Sequence, residues 1–538
     1  MSASPVTDSS SSAAPSIGGL RPSYSDEGLT QAFQIDETAH WVKRNSFQRI
    51  GLQFPDYLLH VAAKVCHRLS ELTQRFCFIL ADTSYSSCCV DEIAGKRLHI
   101  DALVHYGHAC LSNLSGKLPV LFVYVQRHPE LMGISETIRR ITKTVHDQLL
   151  SRDAQQPLVI TYDFDYQNVA HALCIQLQTI SRQSASSGRS WPIIWSEPEL
   201  PSHSESIGAS PFAASLPTVI FRRCGRAFHC VGENPSPPVP PWSLIHVGRC
   251  GSEETFHGLS FYRILLSFPE VDFTHTFHYD TYSHEVGASE DSIRRLLRRR
   301  TYLIEKAKDA QCVGILIGTL SVRDYLDIVE RLQRLLKCAG RLCITLAVGR
   351  LIPEKLANLP ELDLLVIVGC PECSLLDSRD ILVPVITPFE LECALSDVAS
   401  RFHAIDNTAP HRLWTGAKLW VDFSDLLPGG AAYCPEDQVV PPLVPESDTL
   451  HDVSLITGRL RRFDVTENHL DDEQSEGAIV TRGEWAILDL KSSASNFTRS
   501  WYGLTPSLGQ TPVAQLQPGL SGVPTNYCPV SENSVTHS

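Results

Sequence analysis

Ala81-Asp-Thr-Ser-Tyr-Ser-Ser-Cys88-Cys89-Val-Asp91, followed by His105-Tyr-Gly-His108-Ala-Cys110-Leu-Ser112, decides how this chain is read. Each stretch comes after a short apolar run, Phe76–Asp82 and Ala102–Gly107. Such runs, rich in Val, Ile and Phe, read as buried parallel strands. In open α/β sheets, ligands gather at the carboxyl ends of the strands. The two loops therefore put three thiols and two imidazoles where such a fold does chemistry. A third stretch, Val366-Ile-Val-Gly-Cys370-Pro-Glu-Cys373, repeats the arrangement much further along.

Outward from these loops, strands and helices alternate. Arg49–Phe54 reads as a strand and Tyr57–Leu72 as an amphipathic helix; strands at Phe76–Asp82, Ala102–Gly107 and Val120–Val125 and a helix at Ile134–Leu149 follow. This is βαβ logic and predicts parallel sheets. The logic restarts at Leu158–Tyr162, with helix Tyr166–Ile180 and strands Ile193–Trp195, Thr218–Phe221 and Leu244–Val247. It restarts again with helix Asp291–Ala310, strand Val313–Leu320, helix Arg323–Cys338 and strands Leu342–Val348, Leu364–Val368 and Val383–Ile386. Ser/Pro-rich linkers lie at Gln183–Arg189, Pro198–Ser215 and Asn234–Trp242. The expected fold class is α/β. Its expected parts are a disordered tail over 1–26, α/β domains over 27–152, 153–268 and 269–402, and an irregular extension over 403–538. Val453–Ile456 and Trp485–Leu490 read as short strands in that extension, and Pro518–Ser538 as loose.

The formal charge of −14 over 538 residues argues against nucleic acid or an anionic membrane as the main partner. Arg294-Arg295-Leu-Leu-Arg298-Arg299-Arg300 is the exception, read as a solvated face that meets acidic neighbours, with an anionic ligand or partner as the rival reading. Met1–Ser16 is Ser-rich without an apolar core, and no apolar run reaches 18 residues, so neither a signal peptide nor a membrane span is expected. The 17 cysteines then belong to a reducing compartment, and the expected location is cytoplasmic. Cys66, Cys77, Cys174, Cys312, Cys338 and Cys343 fall inside apolar runs and read as small core residues. Gly314-Ile-Leu-Ile-Gly-Thr-Leu320 lacks the lysine and spacing of a phosphate loop.

The motifs ADTSYSSCCVDE, VHYGHACLS, GCPECSLLDSRD and VITPFELECAL, in that order, resemble the diphthamide biosynthesis proteins that form 2-(3-amino-3-carboxypropyl)histidine synthase. Three further pieces, starting at Arg300-Thr-Tyr-Leu-Ile-Glu, His451-Asp-Val-Ser-Leu-Ile and Ser500-Trp-Tyr-Gly-Leu-Thr, are similar to the eukaryotic subunit-2 branch. The resemblance runs from Gln48 to Pro512. It implies three related domains around a central cleft. It implies a heterodimer with subunit 1 that moves the 3-amino-3-carboxypropyl group of S-adenosylmethionine to a histidine of translation elongation factor 2, by a radical reaction. A small iron-binding electron donor and its reductase would complete the system. This chain would be the accessory subunit, with an auxiliary [4Fe–4S] cluster that helps keep the cluster of subunit 1 reduced.

Carried over residue by residue, the resemblance gives Cys89, Cys110 and Cys370 as cluster ligands. Cys88 competes with Cys89, since adjacent side chains of an extended loop point apart, and Cys89 is preferred. Cys373 competes with Cys370, but Cys370 directly follows the strand and precedes Pro371. The middle domain offers Cys224, Cys230 and Cys250 in no recognised motif, Cys224 being the best placed. His105 and His108 read as loop histidines bonded to backbone, and Gly318 and Thr319 as lining near the cofactor. The rival reading is a non-enzymatic scaffold whose cysteines hold zinc or nothing. A Cys/His hydrolase using Cys110 and His105 is a third, with no oxyanion motif beside it.

Overall fold

The computed structural model describes residues 25–80, 87–114, 118–125, 138–143, 156–185, 192–201, 203–207, 219–231, 240–248, 259–281, 285–349, 351–375, 381–402, 414–440 and 452–461, apart from single positions within or beside these spans. Residues 1–24 of the tail expected over 1–26, residues 81–86 of the first thiol loop, Trp485–Leu490, Ser500–Pro512 and Pro518–Ser538, and most of the expected helix Ile134–Leu149, lie outside them, while Ser25 caps a helix that begins at Asp26. The chain is α/β with three main sheets, all within the unit that ends at Val465.

The first sheet contains β1 (Arg49–Gln53), β2 (Phe76–Ile79), β3 (Ala102–Tyr106), β4 (Val120–Val123) and, beyond an interval of chain, β7 (Ser204–Ile207). Its order is β2-β1-β3-β4-β7, and every pairing is parallel. The second sheet has a parallel centre of β5 (Leu158–Tyr162), β6 (Ile193–Pro198), β10 (Trp242–Gly248) and β11 (Val271–Asp280). Both of its edges are antiparallel: β8 (Val219–Arg223) and β9 (Arg226–Val231) beside β6, and β12 (Glu285–Ala288) beside β11. The third sheet is parallel throughout, in the order β14 (Leu342–Ala347), β13 (Cys312–Ile317), β15 (Leu364–Val368), β16 (Val385–Ile386).

One strand order is common to all three. β2-β1-β3-β4, β6-β5-β10-β11 and β14-β13-β15-β16 each run second, first, third, fourth. In each, the winding reverses at the first strand. That switch point opens a crevice at the carboxyl ends of the first and third strands, where ligands bind in such sheets. The loops quoted at the outset leave that edge of the first sheet, and Gly369–Cys370 leaves it in the third.

Two expectations change. The second sheet takes in 271–288, past the boundary expected at 268, and β7 belongs to the first sheet although it falls in the expected second domain. The second sheet is mixed, because β8–β9 and β11–β12 are antiparallel neighbours closed by short connections. Of the thiols read as core, Cys174 is buried, Cys66, Cys77, Cys312 and Cys343 are half-buried, and Cys338 is exposed at the end of its helix.

The strands form where they do because every side chain of Leu364–Val368 is buried, each such burial stabilising by about 2 kcal/mol. Helix Tyr325–Cys338 turns Ile328, Val329, Leu332, Leu335 and Leu336 to the core at helical spacing. Helix Glu290–Asp309 opens on acids and closes on lysines, which suits the helix dipole. Its arginine run is only partly a solvated face: Arg294 meets Glu290, while Arg300 is buried against Glu390 Oε2 at 3.3 Å. Residues 414–440 of the expected extension pack on the body, with Trp414 Nε1 donating to Thr301 Oγ1 at 2.9 Å and Arg331 donating to the Cys434 carbonyl at 2.6 Å.

A buried four-thiol centre

Cys88, Cys89, Cys110 and Cys370 bring their sulfurs within 4.8 Å of one another, and all four side chains are buried. Cys88 Sγ lies 3.7 Å from Cys370 Sγ, across 282 residues of sequence. Cys89 Sγ lies 3.8 Å from Cys110 Sγ. The preference for Cys89 over Cys88 assumed an extended loop. The loop instead turns at Ser87–Cys88, so both neighbouring side chains reach the same centre. Cys373 stays outside the group, its backbone N–H donating to Cys370 Sγ at 3.3 Å. Cys224 also stays outside, its thiol 3.9 Å from the Arg263 carbonyl. Cys250 lies beyond the described residues.

The loops are held by named contacts. Gln53, buried at the end of β1, donates to the Cys89 carbonyl at 2.7 Å and accepts the Asp91 N–H at 3.0 Å. Asp91 in turn caps the next helix, accepting the Ala94 N–H at 2.9 Å. The Cys110 N–H reaches the Cys88 carbonyl at 3.1 Å, tying the two thiol loops together. Gly107 turns the chain out of β3 at φ +88°, a conformation open to glycine. From the third sheet, Val322 bridges to Leu114 and the Arg323 N–H donates to the Asn113 carbonyl at 2.9 Å. A cavity against Cys88, Cys89 and Cys110 is completed by Leu111, Ser112, Leu114, Phe122, Ser321 and Val322. The residues of the Gly318–Val322 turn that reach it are Ser321 and Val322 instead of Gly318 and Thr319.

The two histidines separate. His105 lies in β3 and bonds a backbone carbonyl, that of Ser87, at 3.2 Å. Burial pushes its pKa down to about 4, so it is neutral. His108 was expected to bond backbone; its Nε2 instead meets Glu372 Oε2 at 2.7 Å. Burial opposes its charge, yet the Glu372 carboxylate carries its pKa up to about 9. Arg263, from helix Leu259–Ser267 beside the second sheet, donates to the Cys110 carbonyl at 2.7 Å and lies 3.7 Å from Glu372 Oε1. His108, Glu372 and Arg263 thus join loops of the first and third sheets to a helix of the second. Glu372 was missed in the sequence, although an acid between two thiols of a buried loop is a signal for such a partner.

The thiols share their protons unequally. Cys370 is held well below the ordinary thiol value, because Cys110, Cys373, Cys88 and Cys89 stabilise its sulfur by hydrogen bonding. Cys88 and Cys89 are pushed well above it, by those same sulfur contacts and by burial. An all-sulfur donor set suits zinc or an iron–sulfur core, and loading either releases protons. The spacing as it stands matches the edge of a single tetrahedral ZnS4 site, about 3.8 Å for a Zn–S bond of about 2.3 Å. An iron–sulfur core is larger, and the adjoining cavity of about 10 Å³ beside Cys88, Cys89 and Cys110 has room for about one water, so binding such a core would part the sulfurs.

Fold and site together define a three-sheet α/β protein with an all-thiol centre where its first and third sheets meet. The sequence profile of the family described as "putative diphthamide synthesis protein" matches residues 54–215 and 243–403. Among relatives, 2-(3-amino-3-carboxypropyl)histidine synthase subunit 2 of Gallus gallus is 34% identical over 92% of this chain and 92% of its own length. The subunit 2 of Xenopus laevis is 34% identical, with 93% of each chain covered. A crystal structure described as Dph2 from Pyrococcus horikoshii with a 4Fe–4S cluster is 19% identical, with a TM-score of 0.45 over 67% of this chain and 90% of that one. This chain belongs to the diphthamide synthesis family, in the branch of the synthase subunits 2. No helix among the described residues is long and apolar enough to cross a membrane.

Proposed function

We propose that this chain is the accessory subunit of the enzyme that begins diphthamide synthesis and that Cys89, Cys110 and Cys370 hold a [4Fe–4S] cluster in it. The convergence of buried thiols from separate sheets carries the reading. Such a cluster, when bound, supplies one electron at a time, here to keep the cluster of subunit 1 reduced. This chain's residues position and shield. Gln53 and the Cys110–Cys88 backbone bond fix the ligand loops. Leu111, Leu114, Phe122 and Val322 exclude water from the thiols. The subunit-2 relatives imply a partner subunit. The substrate is a histidine of elongation factor 2, the donor S-adenosylmethionine, the electron source a small iron-binding protein with its reductase, and the compartment the cytosol.

The test is transfer of a labelled aminocarboxypropyl group to elongation factor 2. This chain alone gives none, and adding subunit 1 gives transfer. Cys89→Ser or Cys110→Ser slows transfer when a physiological reductant is limiting and little when dithionite is in excess. Robust transfer by this chain alone refutes the accessory role. A zinc-bearing scaffold is the second reading, favoured by the 3.7 and 3.8 Å sulfur spacings. One bound zinc without sulfide would establish it.

A further inference from the structure

We infer that Cys88 is a fourth thiolate ligand, so that the cluster of this subunit is closed and takes no substrate on iron. The inference rests on the cluster reading above and narrows what that cluster can do. Three protein thiolates leave one iron open, and an open iron can chelate the amino and carboxylate groups of S-adenosylmethionine. Four leave none.

The geometry points to four. Cys88 is as buried as Cys89 and Cys110, at 3%, 4% and 3% exposure. Its sulfur lies 3.7 Å from Cys370 and within 4.8 Å of the other two. Its main chain is pinned, since its carbonyl accepts the Cys110 N–H at 3.1 Å and Gln53 grips Cys89 beside it. That anchoring keeps the Cys88 thiol among the other three. The surroundings agree. Among the described residues, the cavity against the thiols is lined by Val90, Leu111, Leu114, Phe122 and Val322, with Ser112 and Ser321 as its only hydroxyls. Ser112 already donates to Cys110 Sγ at 3.3 Å. The charged groups that come to these loops are engaged, Glu372 with His108 and Arg263 with the Cys110 carbonyl. Among the described residues, the cavity therefore offers an amino acid's carboxylate and ammonium no charged partner. The site's whole chemistry is then to take up one electron from a low-potential donor and pass it on.

The experiment uses the full chain, purified and reconstituted without oxygen and free of subunit 1. S-adenosylmethionine, labelled in its carboxylate with oxygen-17, is added to the dithionite-reduced protein. Paramagnetic resonance and electron–nuclear double resonance are then recorded. The parent chain is expected to keep its spectrum unshifted, with no oxygen coupling, and to resist loss of an iron on brief ferricyanide oxidation. Cys88→Ala is expected to lose one iron on that oxidation and give a three-iron signal. In Cys88→Ser, the cluster is expected to persist with shifted resonances, as an alkoxide replaces one thiolate. A shifted or oxygen-coupled spectrum in the parent chain overturns the inference and leaves the cluster reading intact. So does Cys88→Ala behaving as the parent on oxidation. A parent chain without iron and sulfide overturns both together. If Cys88→Ala fails to fold, the parent spectrum and Cys88→Ser still decide.

Discussion

Replacing Glu372 by Gln removes the carboxylate that charges His108. In the folded chain His108 titrates at about 9, against about 6.5 when unfolded. That difference, at about 1.4 kcal/mol per unit, makes the ion pair worth about 3 kcal/mol to the local fold. Solvent screens it little, because the two side chains are 17% and 2% exposed. The folded pKa is raised, so the contribution is fully present below about pH 6.5 and is lost as pH rises through about 9. The loss falls on the loops that the pair joins, His105–Leu114 and Val366–Leu375. Hydrogen exchange read by mass spectrometry, on peptides covering those loops in the metal-free chain, reports their opening directly. At pH 7 the variant is expected to open both about 100-fold more readily than the parent, and the gap should close at pH 10. Exchange within twofold of the parent at pH 7 in both loops would refute the reasoning. So would a gap that is undiminished at pH 10, since His108 of the parent is then neutral and the ion pair is already lost.

Three further outcomes are expected. Burial and nearby Asp422 hold the Asp425 carboxyl up to about 6, so its ionisation weakens the fold as pH rises from about 4 to about 6. Asp425→Asn should therefore stabilise the chain by about 1–2 kcal/mol at pH 8, after allowance for partial screening, and not at pH 4, by thermal melting. Gly107→Ala forces a left-handed φ on alanine and sets its Cβ 2.9 Å from Tyr57 Oη and 3.1 Å from Pro55 Cγ; a loss of about 2 kcal/mol in urea titration and a lower iron content should follow. The double variant Cys89→Ser/Cys110→Ser should lose its metal while its circular dichroism stays that of the parent, because the ligands sit in loops and the sheets carry the stability; insolubility of this variant alone would make the metal a structural element.

The parallel strands were legible wherever a short apolar run was buried on both faces. Leu158–Tyr162 and Leu364–Val368 have the expected bounds. The missed strands carry a different pattern. Val271–Asp280 mixes histidines and threonines among its apolar residues, and Arg226–Val231 is short and polar at its start, so neither stands out from a linker. The thiols were legible as chemistry, since their loops follow strands. Their assembly was not. Contact between Cys88 and Cys370 depends on how two sheets pack, which no local spacing encodes. That Cys88 joins Cys89 in the group was not legible for a local reason, a turn at Ser87–Cys88 where an extended chain was assumed. Glu372 became visible only beside His108, from another sheet. The ligand roles themselves came from resemblance to a family, and geometry now supplies a physical ground for proposing them.

Analysis of iron and acid-labile sulfide in the full chain purified without oxygen tests the central claim most directly, with zinc measured on the same sample. The account predicts about four irons and four sulfides per chain, a brown colour bleached by dithionite, and loss of both elements in the Cys89→Ser/Cys110→Ser variant. A colourless chain with one zinc and no sulfide, which the same substitutions release, would contradict it.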